Sequence, residues 1–219
     1  VREDVKNRPA LGGDSFNAAK NLIVLPPTFD QEWLKNSYID ENGEYFDWNG
    51  RMPHALNPYW MLYAMENKSV KDKFSGMAAF NYKISEKFSA RGTGGADINF
   101  MNFRQFTTKT TPGLANGQLQ VMDFKNYSYN VEALLFYKDK FGKFDVGANI
   151  GGNIYHIDNM STITTGKDMQ EGQGVRSWSN FASKEVEETP YRKQINSLMA
   201  MANIGYDGFL FLDATVRMD

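Results

Sequence analysis

Apolar and polar residues alternate with a period of two over several long stretches of this chain. From Phe74, one face reads Phe74, Gly76, Ala78, Phe80, Tyr82 and Ile84, and the other reads Ser75, Met77, Ala79, Asn81 and Lys83. After Ser85-Glu86-Lys87 the alternation resumes, with Phe88, Ala90, Gly92, Gly94, Ala96, Ile98 and Phe100 on one side. Two such runs joined by a short polar link predict an antiparallel hairpin. A second pair follows. Tyr127, Tyr129, Val131, Ala133, Leu135 and Tyr137 share a face, then Asp139-Lys140-Phe141-Gly142-Lys143, then Phe144, Val146, Ala148, Ile150, Gly152 and Ile154. A third pair flanks Asp207-Gly208, a strong turn dipeptide. It has Leu198, Ala200, Ala202, Ile204 and Tyr206 before it and Leu210, Leu212, Ala214 and Val216 after it.

These runs predict strands of about 10–14 residues, against about 5–6 in ordinary globular sheets. A strand that alternates cleanly over that length needs one apolar and one wet environment along its whole course. Lipid outside and a polar lumen inside supply both. The connections also alternate. Residues 85–87, 139–143 and 207–208 are short, whereas 102–126 and 156–191 read as long polar loops. Short turns at one end and long loops at the other is the asymmetry of outer-membrane barrels. Aromatics near the strand ends, such as Phe74, Phe100, Tyr127 and Phe144, suit interfacial girdles. The predicted fold class is all-β: an antiparallel transmembrane β-barrel segment of roughly eight strands, with long extracellular loops and short periplasmic turns. Residues 1–73 are less regular. Asp14–Leu25 reads as one strand, 26–58 as a long loop with turns at Asn42-Gly43 and Asn49-Gly50, and Asn57 to about Met65 as a further apolar segment.

Composition narrows the chemistry. The chain has 219 residues, 24 Lys+Arg against 26 Asp+Glu, no cysteine and two histidines. A net charge of -2 argues against a nucleic-acid partner. The absence of cysteine excludes a disulfide scaffold and a thiolate site, and two histidines exclude a three-histidine zinc centre. No apolar run approaches the roughly 20 residues of a transmembrane helix. Val1-Arg2-Glu3-Asp4 is not a signal peptide.

Several segments in combination resemble one family. They are Asn57-Pro58-Tyr59-Trp60; Lys73-Phe74-Ser75-Gly76 with Asn81-Tyr82-Lys83-Ile84-Ser85; Arg91-Gly92-x-Gly94-Gly95-x-Asp97; and the stretch from Gly205-Tyr206-Asp207-Gly208 to Arg217-Met218-Asp219. Together they resemble the barrel of SusC/RagA-type TonB-dependent outer-membrane transporters of Bacteroidetes. The resemblance spans roughly residues 57–219, and the closing segment is its most specific part. It implies a 22-stranded barrel in the bacterial outer membrane, a plug inside it, energy from TonB and a SusD-like surface lipoprotein acting as lid. It implies oligosaccharide or peptide substrates. The plug, the TonB box and a carboxypeptidase-like N-terminal domain are missing from this sequence. Residues 1–219 therefore read as part of the barrel domain, an internal fragment whose strands are best supported in 74–155 and 192–218. It needs the remainder of the barrel and outer-membrane lipid around it, since an open sheet edge is not viable in a bilayer.

No cofactor, metal ligand set or catalytic residue is expected. Arg91-Gly92-Thr93-Gly94-Gly95 lacks the Lys-Ser/Thr of a P-loop and sits in a strand. Asp97, Glu132, Asp145 and Asp213 read as lumen-facing charges, and His54 and His156 as loop histidines. The sequons at Asn67, Asn126 and Asn159 read as chance in a bacterial outer-membrane protein. The substrate-binding candidates are Trp48, Tyr59, Trp60 and Trp178, because aromatic faces stack on sugar rings. Phe181 belongs with them, and Arg176 and Asn180 are weaker. Two other readings stay open: a soluble secreted all-β carbohydrate-binding protein and a small complete porin-like barrel.

Overall fold

A computed structural model describes residues 1–6, 16–50, 55–170 and 175–219. Among them run seven strands and three short α-helices. The strands are β1 (Arg2–Lys6), β2 (Glu66–Lys83), β3 (Phe88–Thr107), β4 (Gln118–Phe141), β5 (Phe144–Met169), β6 (Phe181–Tyr206) and β7 (Leu210–Met218). They form one seven-stranded sheet in sequence order, each strand beside its chain neighbours. The β1–β2 pair is antiparallel, with Arg2 opposite Asp72 and Val5 opposite Ser69. The β6–β7 pair is antiparallel too, running from Tyr206 opposite Leu210 to Leu198 opposite Met218. Asp207 and Gly208 both take positive φ, 51° and 74°, as a tight hairpin turn requires.

The strands are longer than the pattern predicts. β3 to β6 have 20, 24, 26 and 26 residues. Most of the expected loops at 102–126 and 156–191 is therefore strand, and only 108–117 and 170–180 connect. The contrast in connection length persists, because β2–β3, β4–β5 and β6–β7 turn within a few residues. The expected strand at Asp14–Leu25 is corrected over its described part to helix α1 (Ala18–Val24). Within 26–58 lies helix α2 (Gln31–Asn36), and the apolar segment after Asn57 is helix α3 (Pro58–Tyr63). Each helix starts on a side-chain cap. Asn17 accepts from Lys20 N, Asp30 from Glu32 N and Trp33 N, and Asn57 from Tyr59 N. Pro58 follows Asn57 at the first helical position, where a missing N–H costs nothing. The turn at Asn42-Gly43 forms, Gly43 N donating to the Asp40 carbonyl with φ of 80°, and Gly50 lies in a bend with φ of 74°.

By contact density the chain divides into two units. The first comprises Val1–Asp72, Phe100–Phe124 and Ser161–Thr189. It holds the helices and two apolar clusters. One gathers Tyr45, Leu56, Trp60, Met61 and Met65. The other gathers Phe106, Leu119, Met169 and Phe181, with Val121 and Trp178 against them.

The second unit comprises Lys73–Asn99, Lys125–Met160 and Pro190–Asp219. It is sheet throughout, and its two faces differ. Phe80, Val131, Ile150 and Leu212 are 61%, 46%, 53% and 67% exposed. Ring pairs such as Phe88–Tyr137 and Phe144–Tyr206 tile the same face. The opposite face carries Ser75 bonded to Asp97 and Asn153 donating to Asn130. The apolar runs cover 9–13 positions per strand, read from Leu198–Tyr206 and Phe88–Phe100, close to the about 9–11 residues a tilted membrane strand needs.

Candidate functional site

In the helical segment before β2, polar side chains bind elements that are distant in sequence. Asn57 caps α3 with its Oδ1 and donates from Nδ2 to the carbonyls of Leu34 at 2.8 Å and Ser37 at 3.3 Å. Its backbone N–H donates to the Tyr45 hydroxyl, and the Leu56 N–H donates to Asn21 Oδ1. Burial pushes the Tyr45 phenol up from its usual value; the hydrogen bonds from Asn57 and Trp48 oppose this without cancelling it. The segment is anchored to the β3–β4 connection. Trp60 Nε1 donates to Thr111 Oγ1 at 3.0 Å, and Tyr45 N donates to Thr110 Oγ1 at 2.9 Å.

Three of the four aromatic candidates keep partial exposure. Trp48, Tyr59 and Trp178 are half-buried, while Trp60 is fully buried with its indole N–H committed. Trp60 is thus a core residue in this conformation, edge-on to Tyr45 at 5.4 Å. Trp48 packs on the same cluster and donates to Tyr45 Oη at 3.0 Å. Tyr59 lies beside Tyr63, which meets Tyr38. Trp178 belongs to the other cluster, with Phe181. The structure therefore places Trp48 and Trp60 in one apolar cluster and Trp178 in the other, with Tyr59 outside both. It also adds Phe29, Trp33 and Phe46, which form ring contacts with one another and with Trp48. Their sequence signal is the spacing of Phe29 and Trp33 across the start of α2.

Sequence reasoning also missed a charged cluster. Glu66 is buried at the start of β2, its side chain 11% exposed. Arg176 Nη1 donates to its Oε2 at 2.7 Å, Lys68 Nζ lies 3.2 Å from its Oε1 and Arg104 Nε lies 3.3 Å from the same atom. Burial alone pushes the Glu66 carboxyl up, but Arg176 and Lys68 outweigh it and hold the group below the usual carboxylate range. Arg176 also lies over the Phe106 ring at 4.9 Å. Asn180, the other weaker candidate, is buried and donates to the Val175 carbonyl.

In the sheet unit, Ser75, Thr93, Gly95, Asn130 and Tyr155 line a shallow depression of about 490 Å³. Asp97 sits at its edge, bonded to Ser75 and 3.7 Å from Lys73. Asp145 pairs with Lys140 at 3.3 Å. Arg91–Gly95 lies within β3, as strand rather than as a turn before a helix. His156 stacks on Tyr129 at 4.9 Å and meets Gln194 through Nδ1. His54 lies outside the described residues. Among the described residues no three His, Asp or Glu side chains gather as a metal site.

No protein-family model and no curated protein matches this chain. Solved structures do resemble it. A chain of the RagAB peptide importer in its open-open state superposes with a TM-score of 0.63 at 18% identity, over 81% of this chain and 20% of that one. A chain of the RagAB peptide transporter gives 0.58 at 17%, over 80% and 21%. A chain of the importer in its closed-closed state gives 0.60 at 16%, over 81% and 21%. The chain thus spans about a fifth of the length of the proteins it superposes on. At this identity the likeness is one of fold: an antiparallel sheet matching part of an importer chain.

Proposed function

We propose that this chain is a stretch of barrel wall, with its connections, from an outer-membrane nutrient importer of the SusC/RagA, TonB-dependent type. The observation that supports this best is the two-faced sheet. Phe80, Val131, Ile150 and Leu212 stand unburied on one face, while the other carries hydrogen-bonded polar pairs, Ser75 with Asp97 and Asn153 with Asn130, alongside exposed Met77 and Phe211. A soluble carbohydrate-binding sandwich would cover such a face with a second layer.

In this reading the apolar runs meet acyl chains and the polar face lines the lumen. A SusD-like lipoprotein closes over the extracellular connections, and substrate is held between lid, connections and plug. TonB acts on the plug to open the path. The substrate is an oligosaccharide or a peptide. The fold likeness to a peptide importer makes peptides the first class to assay. The chain carries no covalent step and no cofactor in this scheme.

The test uses the full-length protein that contains this chain. It should fractionate with the outer membrane, migrate faster unboiled than boiled, co-purify with a lipoprotein, and support uptake that stops when TonB is deleted. A native product of 24.9 kDa recovered from the soluble fraction would defeat the reading.

A further inference from the structure

The helical segment presents a row of four aromatic rings. Phe29 meets Trp48 at 5.2 Å and Trp33 at 5.9 Å, and Trp33 meets Phe46 at 6.1 Å. Trp48 is tied inward, through Tyr45 and the cluster around Trp60. The far end of the row is open: Trp33 and Phe46 are 40% and 36% exposed. Exposed indole and phenyl faces carry negative π charge and attract cations within about 6 Å.

The charges adjoining these rings along the chain are nearly all of one sign. Residues 27–48 contain six carboxylates and a single cation, Lys35. Two carboxylates have structural work. Asp30 caps α2, and Asp40 closes the following turn by accepting from Asn42 N and Glu44 N. Glu32, beside Trp33, and Glu44, two residues before Phe46, are exposed, as is Glu41. These three make no ion pair or side-chain hydrogen bond among the described residues. Rings alone would serve a sugar or an apolar side chain equally. Rings flanked by uncompensated carboxylates favour a positively charged group and repel a uronate or an acidic peptide.

We infer that this surface captures peptides through their Lys or Arg side chains, a cationic head lying over Trp33 or Phe46 with Glu32 and Glu44 beside it. The inference rests on the importer reading above and names its substrate class. Guanidinium suits the geometry especially, because it stacks flat on a ring while its edge donates to a carboxylate.

The experiment measures binding of three labelled peptides of equal length to the detergent-solubilised full-length protein. They alternate Ser with Lys, with Gln or with Glu. The Lys peptide should bind on the order of tenfold tighter than the Gln peptide, with the Glu peptide weakest, and high salt should compress the series. Two variants localise the effect: Glu32→Gln/Glu41→Gln/Glu44→Gln, which removes charge at exposed positions, and Phe46→Leu, which keeps apolar volume without the ring. Both should bring the Lys peptide to within about threefold of the Gln peptide. Equal affinity for all three peptides overturns the inference, as does a cationic preference that neither variant alters. TonB-dependent uptake of oligosaccharides with no peptide binding overturns it while leaving the importer standing. Loss of TonB dependence for every solute removes the importer reading itself.

Discussion

Arg176 reaches Glu66 across 110 positions of sequence, its Nη1 donating to the carboxylate at 2.7 Å. The contact fastens the connection after β5 to the first residue of β2. Glu66→Gln leaves Arg104, Arg176 and Lys68 without their shared counter-charge. The expected cost is about 1–3 kcal/mol, felt locally. Hydrogen exchange at 175–180 should rise in the variant while exchange in β4 stays unchanged.

The same carboxyl gives a pH dependence. Its folded pKa lies below the usual value because Arg176 and Lys68 overcome its burial. A depressed carboxyl contributes stability that is complete above its unfolded pKa of about 4.3 and is lost as pH falls through the folded value. Protection at 175–180 should therefore be level from neutral pH to about pH 5 and decline below about pH 4. The Glu66→Gln protein should lack that decline.

Gly166 lies under two aromatic rings. A Cβ there would stand 2.9 Å from Phe181 Cγ and 3.2 Å from Trp178 Cζ3. Phe181 is 1% exposed and has no room to retreat. Gly166→Ala should cost about 1–3 kcal/mol by overpacking. The expected readouts are faster proteolysis near 170–180 and a shift in tryptophan emission. A variant indistinguishable from wild type in both would show that this cluster yields.

The two faces of the sheet predict opposite tolerance at adjacent positions. Val131→Arg puts a cation on the face assigned to lipid and should cost about 2–4 kcal/mol near the midplane. Glu132→Arg, one residue on and facing the other way, should cost far less. Yield of heat-modifiable barrel from outer membranes separates the two. Equal yields would contradict the assignment of faces.

Trp60 separates packing from recognition. It is fully buried and donates to Thr111. Trp60→Ala should remove about 3–5 kcal/mol from the helical segment. Trp60→Phe should lose only the hydrogen bond and some volume, and should bind ligand as wild type does. Reduced affinity in the Phe variant, with unchanged melting, would give Trp60 a direct role in binding.

The sheet was legible wherever one face is apolar. The runs starting at Phe74, Phe88, Tyr127 and Phe144 all lie in strands, because alternation records two different environments. Legibility failed where apolar and polar residues mix on both faces. From Asn102 to Thr107 and from Gln118 to Lys125 the backbone goes on pairing, yet buried Phe103, Phe106 and Leu119 stand among polar neighbours and no single period spans either stretch. Helix α1 reads as strand, and α3 as no more than an apolar segment, because six or seven residues carry too little periodicity; the start of α3 is nonetheless written in Asn57-Pro58. The cluster around Glu66 had no local signal, since its members meet only through the fold. The ring row was half visible: Trp48 stood out as an aromatic in a polar loop, whereas Phe46 and Trp33 acquire meaning only from their contacts.

The unburied face of Phe80, Val131, Ile150 and Leu212 has a bearing on biogenesis. On the importer reading these side chains have no refuge in water, and hydrocarbon takes the place that a second layer fills elsewhere. Until it does, the nascent sheet is a sticky, aggregation-prone ribbon. On the importer reading, a periplasmic holdase must shield that ribbon during transit, and strand closure must wait for insertion.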